Sequence, residues 1–177
     1  MTSEIIIAGF GGQGIVSSGI ILAHAGMIEE KHVTFFPSYG AEMRGGTANC
    51  SVVVSSEPVA SPIVANPDIV IAMNEPSLLR FEPTLKENGI ILYNKTLIRS
   101  TPRRKDITVL PIEASAVAEE LGQGRIANMV MLGAMAKKSN LLAIATLKKA
   151  QRKRFTKAKD EQLKLNDAAL EKGYSLL

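Results

Sequence analysis

Apolar residues recur along the chain in two rhythms. Short apolar runs at residues 4–8, 68–73 and 89–93 predict buried strands, residues 33–36 a further short strand, and the weakly alternating, Val-rich stretch 47–55 and residues 107–112 add two more. Helical spacing occupies the intervals: residues 14–26, with few bulky side chains; residues 77–86, interrupted by Pro83; and residues 113–121, closed by Gly122 because glycine tolerates the left-handed conformation just past a helix end. The strand at 33–36 is expected to end at Pro37, leaving a long loop to Gly46. After Arg125 the pattern is wholly helical, with Ile126, Met129, Val130, Gly133 and Ala134 on one face, and helices over 141–154 and 160–172 complete the run before Gly173. The alternation predicts an α/β fold: three layers, α/β/α, with a mostly parallel sheet and C-terminal helices. No internal repeat or low-complexity linker divides residues 1–177, so one domain is expected.

Composition agrees. Aromatics are 5% of the 177 residues and Trp is absent, whereas 46% are hydrophobic, dominated by Ile, Val, Leu and Ala, as in helices packed on a doubly covered sheet. The single cysteine, Cys50, excludes an internal disulfide and cannot by itself hold an iron–sulfur cluster or zinc, so no metal site is expected on this chain. No stretch approaches the roughly 20 apolar residues of a membrane span, and the N-terminal residues lack a signal-peptide pattern. A cytoplasmic location away from the membrane is the expectation. The net charge of +4 is mild but uneven: no Asp or Glu occurs between Glu120 and Asp160, where Lys137, Lys138, Lys148, Lys149, Arg152, Lys153, Arg154, Lys157 and Lys159 gather. A solvated helix face accounts for such a block, and an anionic cofactor or acidic partner is the alternative.

Two loops carry candidate chemistry. Gly9-Phe10-Gly11-Gly12-Gln13-Gly14 is a G-x-G-x-x-G between a strand and a helix, where glycines let the backbone approach a phosphate and the helix N-terminus adds partial positive charge. A dinucleotide site also wants an acid at the end of the second strand, and that end reads Phe36-Pro37-Ser38. The same glycines could simply let the first helix pack close to the sheet. The second loop, Pro37-Ser38-Tyr39-Gly40-Ala41-Glu42-Met43-Arg44-Gly45-Gly46, places an arginine beside two glycines, which suits a carboxylate or phosphate. In the plainer reading, Glu42 and Arg44 are surface residues of a turn.

These two strings, followed by Asn128-Met129-Val130-Met131-Leu132-Gly133, resemble the gamma subunit of the 2-oxoacid:ferredoxin (or flavodoxin) oxidoreductases, over most of the chain. The second loop is the specific element, and the size is most like the separate gamma chain of a 2-oxoglutarate or branched-chain 2-oxoacid enzyme. The resemblance implies a complex that decarboxylates a 2-oxoacid on thiamine diphosphate with Mg, passes electrons through iron–sulfur clusters to ferredoxin, and delivers the acyl group to coenzyme A. No glycine-aspartate-glycine stretch for magnesium diphosphate and no cysteine set is found here, so thiamine-binding and ferredoxin-like partner subunits are implied, and the isolated chain is expected to be inactive. The resemblance leaves this subunit to cover the active site and contact coenzyme A. Its implied cofactor-binding residues are Gly11, Gly12, Gln13, Gly14, Ser38, Tyr39, Glu42, Arg44, Gly45, Gly46 and Asn128; it implies no catalytic residue on this chain.

Other residues have bland explanations. Cys50 lies in an apolar run as a small hydrophobe; His24 and His32 lack partners at metal-ligand spacing; Met129, Met131 and Met135 read as core filler or a subunit contact. Asn128 opens an apolar helix, where it serves as a cap, a buried amide or a loop contact. A stand-alone NAD(P)-binding Rossmann-like oxidoreductase is the competing reading, carried by G-x-G-x-x-G alone. A nucleic-acid module would need more than Phe155 as an aromatic platform beside the basic block, so no nucleic-acid partner is expected.

Overall fold

The computed structural model describes residues 2–39 and 46–177. Six strands form one mixed sheet: β1 (Thr2–Phe10), β2 (His32–Tyr39), β3 (Thr47–Ser55), β4 (Ile69–Ala72), β5 (Ile90–Asn94) and β6 (Thr108–Ile112), in the order β2-β3-β1-β4-β5-β6. The pairings β1–β4, β4–β5 and β5–β6 are parallel, whereas β3 runs antiparallel to both β1 and β2. The helices are α1 (Ile15–Ile28), α2 (Glu75–Phe81), α3 (Ala114–Glu120), α4 (Ala127–Ser139), α5 (Ile144–Arg154) and α6 (Asp160–Ser175).

Strand alternation sorts the sheet into two cores. One face carries Ile5, Ile7, Val52, Val54, Ile69, Ile71 and Leu92, packed under α1, α3, α4, α5 and α6. The other carries Ile6, Ala8, Val53, Val70, Ala72, Ile91 and Tyr93, covered by α2 through Leu78 and Phe81 and by loop residues such as Val64, Leu85 and Ile98. The three layers and mostly parallel sheet are thus present, with unequal outer layers.

Three local expectations are corrected. The second strand does not stop at Pro37 but continues to Tyr39, with Pro37 opposite Cys50 and Ser38 opposite Asn49. β2 is an edge strand, where a proline's missing N–H leaves no ladder bond broken. The helix expected at 77–86 begins earlier, at Glu75, because the Asn74 side chain accepts from the Ser77 N–H and Pro76 fits the first turn; Pro83 then falls in a separate 3-10 turn, Glu82–Thr84. Finally, Gly173 does not mark a helix end. α6 runs through it, and Gly173 lies against the Val130 carbonyl of α4, while Gly133 lies against the Leu170 carbonyl of α6. The two glycines let antiparallel helices cross backbone to backbone.

Candidate functional site

The glycine loop leaves the C-terminal end of β1 at the place where chain connections diverge: α1 leads to β2 on one side, and β4 pairs on the other. In open α/β sheets such a divergence opens a crevice for ligands. The loop is held from within. Gln13 accepts the Phe10 N–H on Oε1 at 2.7 Å and donates Nε2 to the Met73 carbonyl at 3.2 Å, so its carboxamide ties the turn to the end of β4. Gly11 N–H donates to the Gly46 carbonyl at 3.0 Å and joins the first loop to the start of β3.

Two glycines have backbones that need them. Gly12, at φ +96°, has open space where a side chain would project. Gly14, at φ +76°, caps α1 without a side-chain bond, and a β-carbon there would meet the Asn128 carboxamide at 2.5 Å. Buried Asn128 donates Nδ2 to Ser18 Oγ at 3.0 Å and to the Gly14 carbonyl at 3.3 Å, which locks α4 to the first turn of α1. That turn carries amide N–H groups with no acceptor inside the helix and the positive end of its dipole.

Cavities flank this turn on both sides. One, of about 390 Å³, is bounded by Phe10, Gly11, Gly12, Val16 and Ser17 and by Gly46 to Ala48 across the gap. The other, of about 220 Å³, lies between Gly12, Gly14 and Ser17 and the residues Arg125, Asn128, Phe155 and Gln162. Arg154 closes the same region: its Nη2 donates to Ser17 Oγ at 3.4 Å and its guanidinium stacks over Phe155 at 5.4 Å from the ring centre. The combination of glycine backbone, helix start and two arginines suits a phosphate-bearing ligand.

Of the expected site residues, Gly11, Gly12, Gln13, Gly14, Gly46 and Asn128 converge here, although Gln13 and Asn128 bond to protein groups. Ser38 is exposed on the edge strand β2. The Tyr39 side chain and Glu42, Arg44 and Gly45 lie outside the described residues. Ser17, Ser18, Arg125 and Arg154 were not singled out for this site by sequence. Arg154 belongs to the basic block, but nothing in its spacing shows that the end of α5 returns to the start of α1.

Burial pushes the Cys50 thiol up to about 12, against the smaller opposing effect of nearby backbone N–H groups, and its Sγ contacts the Ile15 carbonyl as a packing group. Among the described residues, no group of three or more His, Cys, Asp or Glu is placed to hold a metal ion, and no helix is long and apolar enough to cross a membrane.

Residues 4–176 match the family model described as pyruvate ferredoxin/flavodoxin oxidoreductase. The chain is 44% identical over 132 residues to the ketoisovalerate oxidoreductase subunit VorA of Methanothermobacter marburgensis, covering 75% of this chain but 27% of that protein. It is 34% identical over 179 residues to the 2-oxoglutarate synthase subunit KorC of Methanocaldococcus jannaschii, covering 99% of this chain and 94% of that one. Among solved structures, a 2-oxoglutarate:ferredoxin oxidoreductase from Magnetococcus marinus, with 2-oxoglutarate, coenzyme A and succinyl-CoA bound, superposes with a TM-score of 0.89 at 30% identity, over 99% of this chain and 31% of that one. This chain therefore corresponds to about a quarter to a third of the longer relatives and to nearly the whole of the shorter one.

Proposed function

Because the chain belongs to the pyruvate ferredoxin/flavodoxin oxidoreductase family, we propose that it is the gamma subunit of a 2-oxoacid:ferredoxin oxidoreductase and that its glycine turn forms part of the coenzyme A site. In this reading the complex oxidatively decarboxylates a 2-oxoacid, of the 2-oxoglutarate or ketoisovalerate kind, to an acyl-CoA, with electrons leaving to ferredoxin in the cytoplasm. The iron–sulfur clusters belong to partner chains, since one buried cysteine offers no cluster ligation, and thiamine diphosphate with Mg is assigned to them because the sequence holds no glycine-aspartate-glycine stretch.

The observation that carries the proposal is the α1 start: a turn with open space at Gly12, no side-chain cap at Gly14, and cavities on both sides. The N–H groups of that first turn, with Arg125 and Arg154, would take the phosphates of coenzyme A; Gln13 and Asn128 keep the turn in shape. Arg44 is assigned on sequence grounds to contact with coenzyme A, and Tyr39 and Glu42 to holding its loop. The NAD(P) alternative is not favoured, because β2 ends in Pro37-Ser38-Tyr39 without a ribose-binding acid.

The test is Gly12→Asp in the assembled complex. Asp tolerates the left-handed backbone better than most residues, and its carboxylate would face the incoming phosphates. KM for coenzyme A should rise about tenfold, equivalent to about 1.4 kcal/mol, while KM for the 2-oxoacid stays unchanged. An unaltered KM for coenzyme A would remove the turn from the site.

A further inference from the structure

Away from the glycine turn, residues 95–106 form a basic loop that lies against α2 and the Glu82–Thr84 turn. Glu75 holds one end, accepting from the Arg99 N–H at 2.9 Å and from the Ser100 N–H and hydroxyl. Glu82, 7% exposed, holds the other, its Oε1 accepting the N–H groups of Arg103 and Arg104. Two acids are thus engaged by the loop's backbone, and Asp106 by the Arg104 guanidinium. The side chains of Arg103 and Lys105 project outward with no ion pair among the described residues. Residues 75–106 contain seven Lys and Arg against four Asp and Glu, but Lys86 pairs with Glu4 and Asp68 and Lys95 with Glu113, so the positive charge available here is that of cations such as Arg103 and Lys105. A groove of about 640 Å³ runs between loop and helix, floored by Glu82 and Pro83 and edged by Leu79, Thr101 and Arg103. Leu79 is 55% exposed and Leu97, nearby in sequence, 51%, on the sheet face that α2 alone among the helices covers.

A loop pinned by its backbone, with its cations left free beside an exposed leucine, is a prearranged surface for an anionic chain. We propose that this groove docks an extended acidic segment of a partner subunit, its carboxylates pairing with Arg103 and Lys105 and an apolar side chain seated on Leu79. The proposal rests on the reading of this chain as one subunit of a complex, and it adds which surface meets a partner and the chemistry of the partner's segment.

Two measurements on the reconstituted complex test it. With a benzoyl-phenylalanine cross-linker in place of Leu79, irradiation should join this chain to a partner stretch in which Asp and Glu outnumber Lys and Arg; no cross-link to a partner, or one to a neutral or basic stretch, overturns the proposal. The double variant R103E/K105E should bind the remaining subunits about tenfold more weakly at low salt and lose most of the salt dependence of that binding. Its melting temperature should stay at the wild-type value, because both side chains are exposed. Wild-type affinity in the variant overturns the groove while leaving the subunit reading intact, whereas a wild-type chain that binds no partner overturns both.

Discussion

At the scale of single residues, Gly14 carries more of the site than its neighbours. Its φ of +76° costs an L-residue about 1–2 kcal/mol, and a β-carbon there would push the Asn128 carboxamide off Ser18 Oγ and the Gly14 carbonyl. With two hydrogen bonds disturbed at about 1 kcal/mol each, Gly14→Ala should lower stability by about 2–4 kcal/mol in urea unfolding. A loss below about 1 kcal/mol would show that Asn128 readjusts freely. Cys50 gives a second residue-level expectation. With its thiol buried and pushed up to about 12, it should resist Ellman's reagent at pH 8 in the folded chain and react fully once denatured. Sequence located the glycines through their spacing and expected Gln13 beside the ligand; in the structure its carboxamide bonds the Phe10 N–H and the Met73 carbonyl. The Phe10 N–H is a local partner, but the Met73 carbonyl follows the end of the distant strand β4, and no local pattern encodes that meeting.

At the scale of elements, the α4–α6 crossing depends on Gly133 and Gly173. A methyl group at either would overlap a carbonyl oxygen of the facing helix, and backbone cannot move aside as a flexible side chain can. Gly133→Ala should therefore cost about 3 kcal/mol or more, at the upper end for overpacking, read as a fall in the urea midpoint; a mild effect would mean that the helices separate easily. The hold of α2 on the basic loop depends on pH. The Ser100 hydroxyl, and then the Arg99 N–H, keep the Glu75 carboxyl below its usual range. A depressed carboxylate contributes stability above its unfolded value of about 4.3 and loses it as pH falls through the lower folded value. Amide exchange at Arg99 and Ser100, corrected for intrinsic rates, should lose protection below about pH 4 and not before; protection that persists to pH 2 would contradict the anchoring role. Element positions were largely legible because apolar runs and helical spacing record burial directly. Pro37 and Gly173 were misread as stops, since each is permitted by a neighbour, an open sheet edge in one case and a facing helix in the other, that periodicity does not reveal.

At the scale of the whole molecule, the runs of apolar residues declared a buried sheet, but not that β3 inserts antiparallel between β1 and β2, because strand neighbours are decided by long-range pairing. That insertion brings Gly46 to Gly11 and builds one wall of the candidate site. The proposed chemistry calls on groups that the described residues do not bring together. Electron transfer through iron–sulfur clusters needs sets of thiolates, and the chain has one cysteine, sealed between sheet and helix. Its glycine turn has donors for phosphate but no acid that could hold a magnesium diphosphate among the residues bounding either cavity. The purified chain, supplied with thiamine diphosphate, magnesium, coenzyme A and a 2-oxoacid, should therefore be colourless and leave a viologen dye oxidised. Addition of the partner subunits should restore both the cluster absorbance and dye reduction, with a rate that saturates as this chain reaches stoichiometry. Dye reduction by the chain alone would refute its role as a subunit without independent activity, and full activity of the partner subunits in its absence would refute its part in the coenzyme A site.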